Sequence, residues 1–594
     1  MLTRMLRHVL CPLAGAAVLV VAAVLAVAGT PQPTVARADR GGTDGASVLP
    51  AVESVSAHTG GTLTLAVANQ PGAYTDPLPQ AFDPASQYGT LELTIITNDG
   101  LLGYSRAGGA EGYRVVPDLA VALPTVSDGG KTYTFQLRQG IRYSTGGTVQ
   151  PADVRRGIER ALIESQGGTP GDYMSDIVGA GGCLSSGSRC DLSRGIVTSA
   201  GSSMIAFHLS SADPDFVDQL ALPSFDAVPA STPVKAKLPL PATGPYEIAS
   251  YESKTGVVQL DRNPFFRVWS AEAQPSGYPD RIVERYNYTT AGAVRAVQHG
   301  KADVTIDGSG QTWSPAIAES LQARYSTQIH VGPQLGVLGL WLNTRLAPFN
   351  NLRVRQALNY AVDRNTLVAL NGGSINAKLT CQILTDGSDG YSRYCPFTAD
   401  PDAAGTYHGP DVSRARRLVA ESGTKGQPVT IWFYDIPVGR RNGAYFASVL
   451  KSLGYDVHLE LVPHTGPTWR PNRQAGVGGW VPDYPSAGGV FSSHFSCDSF
   501  SHDPKTNQNY SGLCDRHVDA QVAHATALET TNPSAASTLW ASIDRQVTND
   551  APWVTMRADL STDFVSRRVG NYTFCWLAGV TGYTGACLDQ LWVR

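Results

Sequence analysis

The sequence predicts a mixed α/β protein of several lobes, and three observations carry that reading. Strand-like alternation and helix-like periodicity are interleaved along the chain, with no fixed repeat. The 594 residues, 42% of them hydrophobic, correspond to about three to four domains at about 150 residues each. Gly (61) and Pro (38) together make up about one residue in six, which suits a loop-rich globular protein better than a helical bundle.

Met1–His8 is short and basic, and an almost uninterrupted apolar run follows from Val9 to Gly29. Pro31-Gln32-Pro33 and then Ala36-Arg37-Ala38 complete the three-part layout of a secretory signal, with cleavage expected before Asp39. Uncleaved, the apolar run of about 20 residues is long enough to anchor the chain in a bilayer. Cys11 lies at the start of that run, not after it, so it is not read as a lipid-anchor cysteine. Residues 39–60 are rich in Gly, Ser, Ala and Thr without periodicity and read as a flexible tether.

Thr62–Ala68 (TLTLAVA) alternates as a strand does, and so does Lys131–Leu137 (KTYTFQL). Gly140 and Gly146-Gly147 punctuate the turn that follows. Pro151-Ala152-Asp153 opens a helix through about Ser165, with Val154, Ile158, Ala161 and Leu162 on one face. Further strands are expected at Tyr246–Tyr251, Val257–Leu260 and Leu335–Asn343. A helix is expected over Leu352–Leu370, on the stripe Val354, Leu358, Ala361 and Val362, and another over Val412–Ser422, stopped by Gly423.

Residues 1–38 hold three arginines and no acid, so the exported part has 43 basic against 50 acidic residues, a formal charge of −7. A mildly acidic body argues against binding to nucleic acid or an anionic membrane surface. Beyond Cys11, the eight cysteines fall into sequence-local pairs, Cys183-Cys190, Cys381-Cys395, Cys497-Cys514 and Cys575-Cys587, and in an exported chain these read as disulfides. His494-x2-Cys497 and Cys514-x2-His517 also have the spacing of a structural zinc site; oxidation outside the cell competes for those thiols, and no metal is assigned.

No Gly-x-Ser-x-Gly elbow, P-loop, His-Glu-x-x-His or Gly-x-Gly-x-x-Gly is present, so no enzyme and no cofactor are indicated. Asp83, Asp99, Asp118 and Asp483 are loop carboxylates, each read singly as a turn or cap residue. Gly478-Gly479-Trp480-Val481-Pro482-Asp483-Tyr484-Pro485 is more informative. Its glycines allow close approach by another molecule, its aromatic rings offer flat walls, and its carboxylate could hold a cationic head.

Several blocks then match one known family in order. They include Val116-Pro117-Asp118-Leu119-Ala120, Ser127-Asp128-Gly129-Gly130-Lys131-Thr132-Tyr133-Thr134-Phe135, Thr243-Gly244-Pro245-Tyr246, Arg353–Arg364 (RVRQALNYAVDR) and finally Gly479–Pro485. From about Gly61 to its end the chain resembles the family-five extracellular solute-binding proteins, the oligopeptide, dipeptide and nickel receptors of bacterial ABC importers.

The resemblance implies a two-lobed periplasmic-binding-protein-like α/β fold with an extra inserted subdomain and long hinge strands. Lobe I would span 61–334, with the insert at roughly 89–225; lobe II would span 335–551, and 552–594 would return to lobe I. It implies a monomeric cell-surface or secreted receptor that binds a short peptide and hands it to ABC permease transmembrane subunits. By the same resemblance Asp483 pairs with the ligand's N-terminal ammonium, while Gly479, Trp480, Val481 and Tyr484 line the cleft. A nickel chelate, haem or an oligosaccharide is the same-fold alternative, and an envelope regulator or scaffold that kept the fold is the alternative from another class.

Overall fold

Thr62–Ala68 forms the interior of a five-stranded sheet in the order Val304–Ile306, Thr62–Ala68, Arg281–Tyr288, Val257–Arg262, Tyr246–Glu252. It pairs in parallel on both sides, Thr62 opposite Arg281 and Leu65 opposite Val304. Its second half is buried on both faces, as befits an inner strand. Helix Thr290–Gln298 covers this end, capped by Thr289 Oγ1, which accepts from the Gly292 amide. The computed structural model describes residues 58–594 apart from 69–81, 86–90, 166–168, 187–189, 200, 307–312, 464–468, 505 and 581–583. The expected export segment and most of the 39–60 tether therefore lie outside the described residues. Among those described, no helix is long and apolar enough to cross a membrane.

Between the first strand and Tyr246 lies a separate four-stranded antiparallel sheet, packed on helix Pro151–Ser165. Val154, Ile158, Ala161 and Leu162 are fully buried in that helix, as their spacing requires. Arg160 shares their interior and makes a two-pronged ion pair with Asp83 at 2.9 and 2.6 Å. Asp83 Oδ1 also accepts from the Ala85 amide at 3.1 Å, so the carboxylate serves the turn expected of it and this ion pair together.

The second lobe is built on a six-stranded sheet in the order Ala377–Lys378, Trp553–Phe564, Ile329–Leu342, Ala475–Trp480, Pro428–Tyr434, Asp456–Val462. Its two long antiparallel strands run on into the first lobe, where the Phe564 amide donates to Thr305 Oγ1 (3.0 Å) and Val565 bridges Val304. The last residues pack on the first lobe as well, where Trp592 stacks on His58. Disulfides join Cys183 to Cys190, Cys381 to Cys395, Cys497 to Cys514 and Cys575 to Cys587.

Both faces of this sheet are covered. Leu340, Leu342, Phe433, Val477 and Met556 meet Val354, Leu358 and Phe446 on one side. Val337, Trp341 and Trp553 meet Phe491, Phe495 and Trp540 on the other. Trp341 is paired opposite Gly476, and Gly339 opposite Gly478. A Cβ at Gly476 would fall 2.6 Å from Trp341 Cζ2, so the indole occupies the room the missing side chain leaves. Gly476→Ala is expected to lower stability by about 1–3 kcal/mol through overpacking, read as a lower urea midpoint at unchanged m-value.

Several element boundaries differ from the sequence expectation, the strands at Tyr246 and Val257 running on to Glu252 and Arg262. Leu352–Leu370 is two helices, Leu352–Ala361 and Arg364–Leu370. Asp363 separates them, with extended backbone and a carboxylate that accepts from the Asn365 amide as the second helix's cap. The strand expected at Leu335–Asn343 begins at Ile329 and shifts register between Pro333 and Val337. Lys131–Leu137 shortens to Thr132–Gln136, because Lys131 is taken into the preceding turn, where its amide donates to the Asp128 carbonyl.

Candidate functional site

Trp480 is the last residue of the Ala475–Trp480 strand and lies opposite Val337. Beyond it the chain leaves the sheet through Val481 and Pro482 and enters helix Ala487–His494, which Ser486 caps by accepting from the Gly489 amide. Asp483 sits between a strand end and a helix start, projecting from the second lobe toward the inserted subdomain.

Four contacts close that gap. The Tyr173 hydroxyl, at the end of helix Thr169–Tyr173, donates to Asp483 Oδ2 at 2.6 Å. The Tyr173 and Tyr484 rings meet edge to face with centroids 5.3 Å apart. Ser486 Oγ donates to Asp215 Oδ2 at 3.0 Å. Tyr484 is buried, packs into the first lobe's core and meets the Gln219 amide through its hydroxyl. The structure thus brings Asp483 and Tyr484 to the seam between the lobes. Val481 lies beside the Ile329–Leu342 strand, where a Cβ on Gly336 would come within 2.9 Å of its Cγ2.

The electrostatics of this seam are one-sided. Burial raises the Asp483 carboxyl above its ordinary range; the Tyr173 hydrogen bond opposes this, and no cationic side chain contributes. Asp215 is held well above the usual range by burial and by the charges of Glu529, Asp218 and Asp213. Asp213 itself is pushed up to about 6, mainly by burial. Among the described residues, no lysine or arginine contributes to the shifts of Asp483, Asp213 or Asp215.

Trp480 is half-buried, with its ring 4.6 Å from that of His494 and its indole N–H buried without a partner. Burial lowers the His494 imidazole to about 3, so it is neutral, and its Nδ1 shares a 2.6 Å hydrogen bond with Ser493 Oγ. The Cys497–Cys514 bond takes both thiols out of the His494/Cys497/Cys514/His517 spacing. The glycines are also required by the chain's own packing. A Cβ at Gly479 would fall 2.5 Å from the Val337 carbonyl oxygen, and one at Gly478 2.9 Å from Trp341 Cδ1, so the chain's own neighbours require these residues.

Sequence reasoning missed Tyr173, Asp213 and Asp215. Tyr173 is 310 positions from Asp483 in a short Thr-Pro-Gly-Asp-Tyr helix, and no local pattern connects the two.

The family model for bacterial extracellular solute-binding proteins, family 5 (middle), matches residues 114–502. Among curated proteins, di/tripeptide-binding protein 3 of Pseudomonas aeruginosa is 23% identical over 483 residues, covering 75% of this chain and 82% of that one. The glutathione-binding protein GsiB of Escherichia coli is 23% identical over 480 residues, covering 77% and 83%. Among solved structures, the clavulanic acid biosynthesis oligopeptide-binding protein 2 superposes with a TM-score of 0.76 at 21% identity, covering 90% of this chain and 96% of that one. The unliganded open form of the murein tripeptide-binding protein MppA gives 0.69 at 17% identity, covering 90% and 97%. These likenesses establish the periplasmic-binding-protein fold.

Proposed function

The chain belongs to the family-5 bacterial extracellular solute-binding proteins, and from that membership we propose that it captures short peptides between its lobes and hands them to an ABC permease. The observation that carries this reading is Asp483, a carboxylate at the lobe seam with a phenol as donor and no counter-cation. A ligand's N-terminal ammonium supplies a positive charge at that place. Gly479, Val481 and Tyr484 belong to the same wall. That relatives of similar length carry peptide or glutathione in their names supports the choice of solute.

Binding is the whole of the proposed activity, with no covalent step. The segment 335–551 is proposed to close on the rest about the two long strands, driven by contacts made only in the closed state. The protein acts as a monomer outside the cytoplasmic membrane, anchored through its N-terminal segment or released.

The test is calorimetric titration with a peptide and its N-acetylated twin across pH. An ammonium binds the ionised carboxylate, and burial raises the Asp483 carboxyl in the folded protein, so affinity is full only at pH above that raised value. It falls, by up to about tenfold per pH unit, as pH drops through that raised value. Tyr173→Phe removes the one hydrogen bond that favours the ionised form. It is expected to weaken binding at neutral pH by about 1 kcal/mol and to move the acid midpoint upward. A variant with an unmoved midpoint would separate Tyr173 from the anchor.

A further inference from the structure

Asp215 stands at the start of the short helix Phe216–Leu220 in the inserted subdomain, where a carboxylate ordinarily caps its own helix, yet its side chain makes no cap there. It reaches across to the second lobe instead, where Ser486 Oγ donates to Asp215 Oδ2 at 3.0 Å. Ser486 is itself buried and bonded to the Gly489 amide, so this partner is fixed in the second lobe's framework. Glu529, the last residue of helix Arg516–Glu529, acts on the same carboxyl from that lobe and is held by Trp540 Nε1 at 2.8 Å.

The groups around Asp215 are acids on both sides of the seam. Asp213, whose Oδ1 accepts from the Asp215 amide at 2.9 Å, and Asp218 belong to the same segment. From the second lobe come Glu529, the Tyr484 phenol and, beside Tyr484, Asp483 with its Tyr173 donor. Asp176 adds its charge to Asp213. Burial and three carboxylates favour the neutral form of Asp215, and the Ser486 hydroxyl opposes them. Closing the lobes therefore brings Asp215 and Glu529 together partly out of water, and opening them returns both to water.

We propose that Asp215 is a proton-operated latch between the lobes: neutral, it holds Ser486 with the seam closed, and ionised, it faces Glu529 across the seam and drives the lobes apart. The inference rests on the two-lobe closure proposed above but needs no peptide. Its direction follows from linkage. A carboxyl held above its ordinary value in the closed form, and near that value in the open form, binds more protons when closed. Closure is therefore favoured in acid and lost as pH rises through the closed-form value. Asp213, at about 6, titrates with the same sign. Acid thus shuts the empty cleft while it also neutralises Asp483, and both changes favour an empty receptor.

The test is small-angle X-ray scattering of the exported chain, residues 39–594, without ligand, from about pH 5 to about pH 8. The radius of gyration of the wild type should rise with pH. Asp215→Asn keeps an acceptor for Ser486 without a charge and should lose most of that rise, staying near the acid value throughout. Glu529→Gln can still accept from Trp540 but removes the opposing charge, and it should shrink the rise. It serves as the second variant should Asp215→Asn fail to fold. A wild-type radius that does not change with pH overturns the latch, as does a full rise in either variant. Neither result touches the peptide titration at Asp483, whereas loss of peptide binding with the pH response intact would remove the anchor and keep the latch.

Discussion

Asp483→Asn lowers the affinity for peptides with free N-termini by about a hundredfold. Breaking a desolvated pair of opposite charges costs about 2–5 kcal/mol, because the surviving partner stays buried without its counter-charge. Asparagine keeps the shape and can still accept from the Tyr173 hydroxyl, so the 2.6 Å contact has a substitute and folding is spared. Burial already disfavours the charge at this position, and its removal places no strain on the free protein. N-acetylated peptides provide the control: the wild type should bind them about as weakly as the variant binds free peptides. The variant should be nearly indifferent to acetylation. Equal affinity of wild type and variant for a free peptide would remove Asp483 from the role.

Arg364→Ala carries the largest expected loss of stability, about 3–5 kcal/mol. Arg364 is fully buried, with the charge of the adjacent Asp363 acting on it and, among the described residues, no carboxylate in an ion pair with it. Its guanidinium donates to the Thr380, Asn359 and Phe397 carbonyls at 3.2, 3.2 and 3.4 Å, and to Asn359 Oδ1 at 3.1 Å. Thr380 and Phe397 flank the Cys381–Cys395 disulfide, so one side chain ties that loop to the end of helix Leu352–Ala361. Alanine leaves several buried oxygens without donors and opens a cavity. Arg364→Lys reaches fewer of them and should lose roughly half as much. Urea unfolding reads both variants, and an unchanged midpoint in Arg364→Ala would contradict the pinning role.

The periodic elements were legible in the sequence. TLTLAVA and the stripe Val154, Ile158, Ala161, Leu162 form the strand and helix that their spacing indicates; burial on one face imposes the helix's spacing, while the strand alternates only over its first half and is buried on both faces beyond it. Leu352–Leu370 was misread because its apolar stripe continues across Val362, while Asp363, a side chain suited to capping, ends the first helix and starts the second. Charge pairing was legible least of all. Asp83, Asp99 and Asp118 look alike in sequence, yet the fold gives one of them Arg160 and walls the other two into a cavity. The ordered blocks of the family pattern led to Asp483, but its partner Tyr173 comes from a distant part of the chain. The glycines of the same segment proved to answer to Trp341 and Val337.

The central claim is that the lobes close on a peptide held by its ammonium at Asp483. Its most direct test is the melting temperature of residues 39–594 with matched pools of free and N-acetylated di- to octapeptides, with sugars and nickel chelates alongside. A rise confined to the free peptides and lost in Asp483→Asn is the expected result. A rise only with sugars or nickel chelates, or no rise with any pool, would contradict it.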